Sequence, residues 1–271
     1  MNKFLLSGHK WQLAILTGLL ILFSGCSTLP SGRGWGEDVS LTNWHRIKQA
    51  ALNAAKDPET WAPLAGAAVF SIGDLDEDVS DWLSKETPVF GSARAAEDAS
   101  DYLKDTLSVI KTATALATPS GDTAAEWLPS KLKGMAVIAV ASGVPASITS
   151  VIKKEAGRRR PNGSDSRSFP SGHATQAYAS STLASRNVNS LDLSEKSRRL
   201  LRYTFKGMAA GTAWARVEAN VHFPSDVLFA AAMSHFLSAF IHDAFMGLDD
   251  STTVSFSNGL DGMTLQLGWR F

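Results

Sequence analysis

Residues 134–161 read GMAVIAVASGVPASITSVIKKEAGRRRP. Gly134 to Ile152 carries no charge over 19 residues, long enough to raise the question of a membrane span. Ser142, Gly143, Pro145, Ser147, Thr149 and Ser150 make it a poor lipid-facing segment. The run is therefore read as a helix buried inside a bundle. Its end is abrupt. Lys153, Lys154, Arg158, Arg159 and Arg160 fall within eight residues, and Gly157 and Pro161 break the helix there.

Helical patterns surround this run. Asn43 can cap a helix that reaches Lys56 and stops at Asp57-Pro58. Trp61 to Ile72 is apolar, and Gly73 to Asp78 reads as an acid-rich helix start. A calcium loop fails at Gly73–Lys85, because the sixth position is not glycine and Lys85 stands where the twelfth-position Glu is needed. Ala93–Ala117 shows an apolar face of Tyr102, Leu103, Leu107, Ile110 and Leu116. Ala174–Asn187, Ser194–Val217 and Asp226–Phe245 complete the helical set. The last twenty residues change period: Val254 and Phe256, then Leu265, Leu267, Trp269 and Phe271, alternate with polar positions around Asn258-Gly259 and Asp261-Gly262. This predicts a hairpin. The fold class is all-α, a helical bundle with a short C-terminal β-hairpin. The expected divisions are a signal peptide at 1–25, a flexible tether at 26–42, a helical domain at 43–248 and the hairpin at 249–271.

Three segments supply chemistry that belongs together. The first is Lys153-x6-Arg160-Pro161, the second Pro170-Ser171-Gly172-His173, and the third Arg216-x5-His222-x3-Asp226. Each alone has a bland explanation: a solvated helix end, a common loop, a structural His–acid pair. Together they offer three cations, two imidazoles and a carboxylate. Arginine grips phosphate oxygens in bidentate fashion and lysine acts as a point charge. Ser171 and the Gly172 and His173 amides open a helix, and a helix start with free N–H groups is an anion site. Pro224 suits a first helical turn, which lets His222 and Asp226 face each other. A carboxylate on one ring nitrogen raises the nucleophilicity of the other.

These segments resemble the three signature motifs of the type 2 phosphatidic acid phosphatase superfamily, which also holds bacterial acid phosphatases and vanadium haloperoxidases. The one departure is Ala215 where the third motif has Ser. The resemblance implies an all-α bundle and a metal-independent phosphatase without cofactor. In that scheme His222 attacks phosphorus, Asp226 orients it, and His173 protonates the leaving group and then activates water. Lys153, Arg160, Ser171, Gly172 and Arg216 hold the phosphate. Two other readings stay open: a vanadium-dependent haloperoxidase with His222 as vanadate ligand, and a non-catalytic lipoprotein scaffold. His235 and His242, seven apart, are read as filling the core.

Composition narrows the setting. The chain has 271 residues, 44% apolar and 19% charged, with 26 basic and 26 acidic side chains. That is globular, and the missing basic excess argues against nucleic acid as partner. Leu13–Phe23 is an eleven-residue apolar stretch ending at Ser24-Gly25-Cys26, the sole cysteine. This resembles a bacterial lipoprotein signal, with Phe23 where Leu is preferred, and it implies lipidation at Cys26. Ser27 in place of Asp favours the outer membrane, facing the periplasm. A lipid tether raises the local concentration of membrane phosphates, so the expected substrate is a phosphorylated lipid or a small phosphomonoester.

Overall fold

The computed structural model describes residues 27–39, 44–86 and 88–247, together with the backbone of 252–259 and 262–269. Among the described residues there are eight α-helices. They are α1 Trp44–Lys56, α2 Pro58–Phe70, α3 Leu75–Asp81, α4 Ala93–Ala117, α5 Ala124–Ala156, α6 Gly172–Asn189, α7 Glu195–Glu218 and α8 Pro224–Met246. A π-helical turn, Trp82–Glu86, follows α3. Strands β1 Thr252–Gly259 and β2 Gly262–Trp269 pair antiparallel, with Thr252 opposite Trp269 and Gly259 opposite Gly262. The bundle and the hairpin are thus the elements that the sequence predicts. The signal peptide, Cys26 and the Asn43 cap lie outside the described residues.

Helices α6 and α8 form the centre. α6 packs on α4, α5, α7 and α8, while α8 also meets α1, α2 and α5. Their buried positions are mostly Ala, Ser and Thr, so the helices approach closely and hydroxyls reach neighbouring backbones. Ser234 Oγ donates to the Thr175 carbonyl at 2.6 Å, and Thr149 and Thr175 hydroxyls meet at 2.8 Å. Pro145 lies inside α5 and lacks the N–H that would serve the carbonyl four residues back. Ser238 of α8 donates to that carbonyl, Ala141 O, at 2.9 Å.

Two boundaries differ from expectation, each for a local reason. α2 starts at Pro58, because Asp57 accepts from Glu59 N at 2.9 Å and proline suits the first helical position; the pair that ends α1 also begins α2. α5 starts ten residues before Gly134. Thr123 and Glu126 form a reciprocal capping box there, with bonds of 3.3 and 3.4 Å. α5 is also not buried all round: its most apolar 18-residue window is only 28% buried. Leu132, Val140 and Val151 lie exposed on its outer face. α5 and α8 are both long and apolar enough to cross a membrane, but α8 is mostly buried as a core helix.

The segment read as a flexible tether is packed over residues 27–39. Trp35 is fully buried and joins Ile138, Leu183, Ile241 and Met246 in the largest core cluster. Its backbone N–H donates to the Pro119 carbonyl at 2.7 Å, and Gly121 N donates to Ser27 O at 3.0 Å. A Ser, Gly and Pro-rich stretch stays loose only without an anchor, and Trp35 is that anchor. Lys131 closes the same corner. Its buried ammonium donates to the Ala115, Leu116 and Thr118 carbonyls at 3.0, 3.1 and 2.6 Å, capping α4, and it lies 5.1 Å over the Trp35 ring.

A Cβ at Gly134 would fall 2.2 Å from the Trp35 ring. Gly134→Ala, which in an exposed helix gains about 1 kcal/mol, is expected to destabilise this protein. Trp35→Ala is expected to cost roughly 3–5 kcal/mol. Denaturant unfolding of both variants beside wild type checks the pair, and in protein lacking residues 27–39 the Gly134→Ala penalty is expected to vanish.

Candidate active site

The site forms where three helix ends meet. α5 ends at Gly157, which takes a left-handed φ of 55°, and the chain crosses the bundle end as the loop 157–171. α6 starts at Gly172, capped by Ser171. α7 ends at Glu218, and Asn220 turns the chain with φ 58°, a conformation that Asn tolerates better than most residues. His222 follows, and α8 begins two residues later. The six-residue interval from Arg216 to His222 is thus one helix end plus one tight turn.

A cavity of about 240 Å³ opens there. Lys153, Arg160, Asp165, Arg167, Gly172, His173, Arg216 and His222 line it. Six of the eight expected site residues are therefore brought together around one space. Asp226 and Ser171 lie beneath it instead. Ser171 is buried, and its hydroxyl accepts from Ala174 N at 3.4 Å as the cap of α6. Ala215 is fully buried against Ala96, Ala219 and Val221 and does not line the cavity.

His222 Nδ1 lies 3.6 Å from Asp226 Oδ2, a charge contact longer than a hydrogen bond. The Asp226 carboxylate is otherwise engaged. Oδ1 accepts from Arg158 Nη1 at 2.8 Å, and Oδ2 accepts from Ser168 Oγ at 2.5 Å and from Phe223 N at 2.9 Å. Burial would push this carboxyl up. The His222 contact, the Ser168 hydroxyl and the Arg158 charge outweigh burial and hold it below the ordinary carboxylate value. Burial drives His222 the other way, down to about 4, against the pull of Asp226. The imidazole is therefore neutral near neutral pH and carries a free electron pair.

The cations differ in how far they are committed. Burial, then the charge of Arg160, lowers the Lys153 amine to about 8; it donates to the Arg167 carbonyl at 2.6 Å. Arg160 Nε bonds Asp165 at 2.7 Å and its Nη1 bonds the Val221 carbonyl at 3.2 Å. Arg216 is buried, and Nη1 meets only Ser100 Oγ at 3.2 Å while Nε has no hydrogen-bond partner. A buried, under-satisfied guanidinium facing a cavity fits an oxyanion. His173 Nε2 lies 2.7 Å from Asp101 Oδ1 on α4. Burial, then the Arg216 charge, keeps His173 below its ordinary value, with Asp101 pulling it back up.

Four contributors escaped the sequence reading. Arg158 was visible only as part of a basic run, yet it turns inward to join Asp226 to Asp76, whose Oδ2 lies 2.9 Å from Arg158 Nη2. Asp76, from the acid-rich start of α3, is buried, and its Oδ1 accepts from Ser225 N at 2.8 Å. Asp101 and Ser168 had no spacing relation to the motifs. Only the fold brings α3 and α4 to this end.

The helix ends of the bundle thus gather cations and imidazoles around one cavity, a charge pattern complementary to phosphate-like anions. Residues 134–248 match the model of the PAP2 superfamily, and the matched region holds every cavity-lining residue. The fold is similar to that of a transmembrane PAP2-type phosphatidylglycerolphosphate phosphatase from Bacillus subtilis. The TM-score is 0.52 at 18% identity, over 76% of this chain and 98% of that one. No curated protein matches the chain.

Arg158→Ala leaves two buried carboxylates without their shared cation. It is expected to lower stability by roughly 3 kcal/mol and to reduce turnover, because His222 loses its fixed neighbour. Arg159→Ala, in the same run but exposed, is expected to change neither. Thermal unfolding and p-nitrophenyl phosphate turnover of the two variants, side by side, test this.

Proposed function

We propose that the protein is a phosphatase that needs no metal. It hydrolyses phosphate monoesters or pyrophosphates of membrane lipids through a phosphohistidine on His222. The observation that carries this reading is the cavity itself: four cationic side chains and two imidazoles line one space open to solvent.

Asp226 lies on the Nδ1 side of His222, which leaves Nε2 to attack phosphorus. The P–N bond forms as the bond from phosphorus to the leaving oxygen breaks. His173 gives that oxygen its proton. His173 then takes a proton from water, the hydroxide attacks phosphorus, and the P–N bond breaks to release phosphate. Lys153, Arg160 and Arg216 meet the charge on the non-bridging oxygens, with the Gly172 and His173 amides at the start of α6. Asp101, on the other nitrogen of His173, favours the protonated ring that the first step requires.

The apolar outer face of α5 and the resemblance of residues 13–26 to a lipoprotein signal support a membrane setting. In this reading Cys26 carries lipid at the periplasmic face of the outer membrane. Ser27 is bonded to the start of the α4–α5 corner, so such an anchor would hold the domain close to the lipid surface.

Phosphate release by protein lacking residues 1–26, across p-nitrophenyl phosphate, phosphatidic acid and an isoprenoid pyrophosphate, tests the proposal. His222→Ala is expected to abolish release, and EDTA to leave it unchanged. His173→Ala is expected to slow alkyl phosphates by about 10²–10⁴-fold and p-nitrophenyl phosphate far less; equal losses would sink the acid assignment. The pH profile follows from the two imidazoles. His222 must be neutral, so kcat/KM is expected to rise as pH passes about 4. His173 must be protonated, so kcat/KM is expected to decline again as pH rises, with the midpoint of that decline below the ordinary histidine value of 6.5, once the substrate's own ionisation is corrected for.

A further inference from the structure

Arg167 belongs to none of the three motifs, yet it lines the same cavity as their cations. Its backbone is fixed on both sides. Its N–H donates to Asp165 Oδ1 at 2.8 Å, and its carbonyl accepts from Lys153 Nζ at 2.6 Å. The guanidinium itself has no hydrogen-bonded or ion-paired partner among the described residues. The other arginines of the 157–171 loop are committed: Arg158 to Asp76 and Asp226, Arg159 to the Gly163 carbonyl at 3.5 Å, Arg160 to Asp165. The charge of Arg167 reaches the Lys153 amine and helps depress it.

Charge and size then point one way. Lys153, Arg160 and Arg216 already answer the dianion of a single phosphate, and Asp165 offsets one of the four positive charges. A further cation on a fixed backbone, with its head unspent, suits a second anionic group beside the first. The cavity, about 240 Å³, compares with roughly 30 Å³ for one water in the liquid, which leaves space beyond one phosphate.

We infer that Arg167 is a specificity residue that grips a second phosphate joined to the scissile one, so that the protein favours pyrophosphate esters over monoesters. This rests on the phosphatase reading above. His222 Nε2 attacks the terminal phosphorus, the bond from that phosphorus to the bridging oxygen breaks, and the leaving group is a phosphate monoester that keeps the bridging oxygen and its electron pair. Arg167 holds that leaving phosphate and stabilises the charge it gains, as a bidentate guanidinium does.

The test compares farnesyl pyrophosphate with farnesyl phosphate, which share one chain. It uses wild type, Arg167→Ala, Arg167→Lys and, as a control of equal charge change in the same loop, Arg159→Ala. In Arg167→Ala, kcat/KM for the pyrophosphate is expected to fall about 10- to 100-fold, the range of a lost charge-assisted contact. The monophosphate should change little, Arg167→Lys should recover part of the loss, and Arg159→Ala should resemble wild type. Equal losses on both substrates overturn the inference. Calorimetric binding of inorganic pyrophosphate and orthophosphate separates it from the parent reading. A pyrophosphate preference that Arg167→Ala removes supports the inference even without turnover, in which case only the phosphatase reading fails. Equal affinity of wild type for the two anions overturns it even if turnover is found.

Discussion

Asp226 is a carboxylate with no exposure to solvent, and a buried ionised group is tolerable only when every lone pair finds a donor or a cation. That requirement organises the active end of the bundle. Arg158 brings in the loop after α5, Ser168 the loop before α6, and Phe223 N the start of α8. Through Arg158 the network extends to Asp76 of α3, which in turn holds Ser225. Three separate chain segments, the 157–171 loop, the start of α8 and α3, are tied together around one charge, and His222 stands against it. Removing a single member leaves another buried charge uncompensated, so the network is expected to be held as a unit.

The floor is therefore rigid while the walls remain electrostatically unsatisfied. The carboxylates below the cavity are spent on Arg158. Around the cavity the lining carries four cations against Asp165 alone, and the Arg216 Nε and His222 Nδ1 atoms are buried without a hydrogen-bond partner. Gathering four cations about one carboxylate is electrostatically unfavourable, and the pattern is complementary to an oxyanion. Electrostatic stabilisation of this kind works because the dipoles and charges are already oriented before the reaction begins. The same burial that forms the cradle pushes His222 toward the neutral form that a nucleophile needs.

The rest of the bundle holds these ends in register by close packing of small residues. α6 and α8 bury mostly Ala, Ser and Thr, and their hydroxyls serve backbone carbonyls across the interface. Pro145 illustrates the dependence. It strips the Ala141 carbonyl of its helical partner, and only the presence of Ser238 on the facing helix restores the bond. Trp35 performs the opposite service at the other end of α5, filling space left by Gly134 with a large ring.

The helices, the three motifs and the all-α class were legible in the sequence because helix periodicity, caps and short-range spacing are local properties. Lys153, Arg160, His173, Arg216 and His222 could be named as one site from their order along the chain and the family resemblance. Other features were not legible, since they depend on contacts between residues far apart in sequence. The burial of residues 27–39 rests on Trp35 meeting Gly134. Asp76 and Asp101 become neighbours of Arg158 and His173 only when α3 and α4 pack against the site. The outward face of α5 is exposed because its partners cover one side alone, a fact that its nearly uniform apolar composition conceals. Ser171 reads as a phosphate ligand by type and place; that its hydroxyl also caps α6 from outside the cavity lining is visible only in the fold. Sequence by itself determined which side chains are the candidates for the chemistry, since side-chain type and local spacing are written in the chain. Tertiary structure alone decided which of them face the cavity and which buried charges hold them there, because burial and charge pairing arise only when distant segments meet.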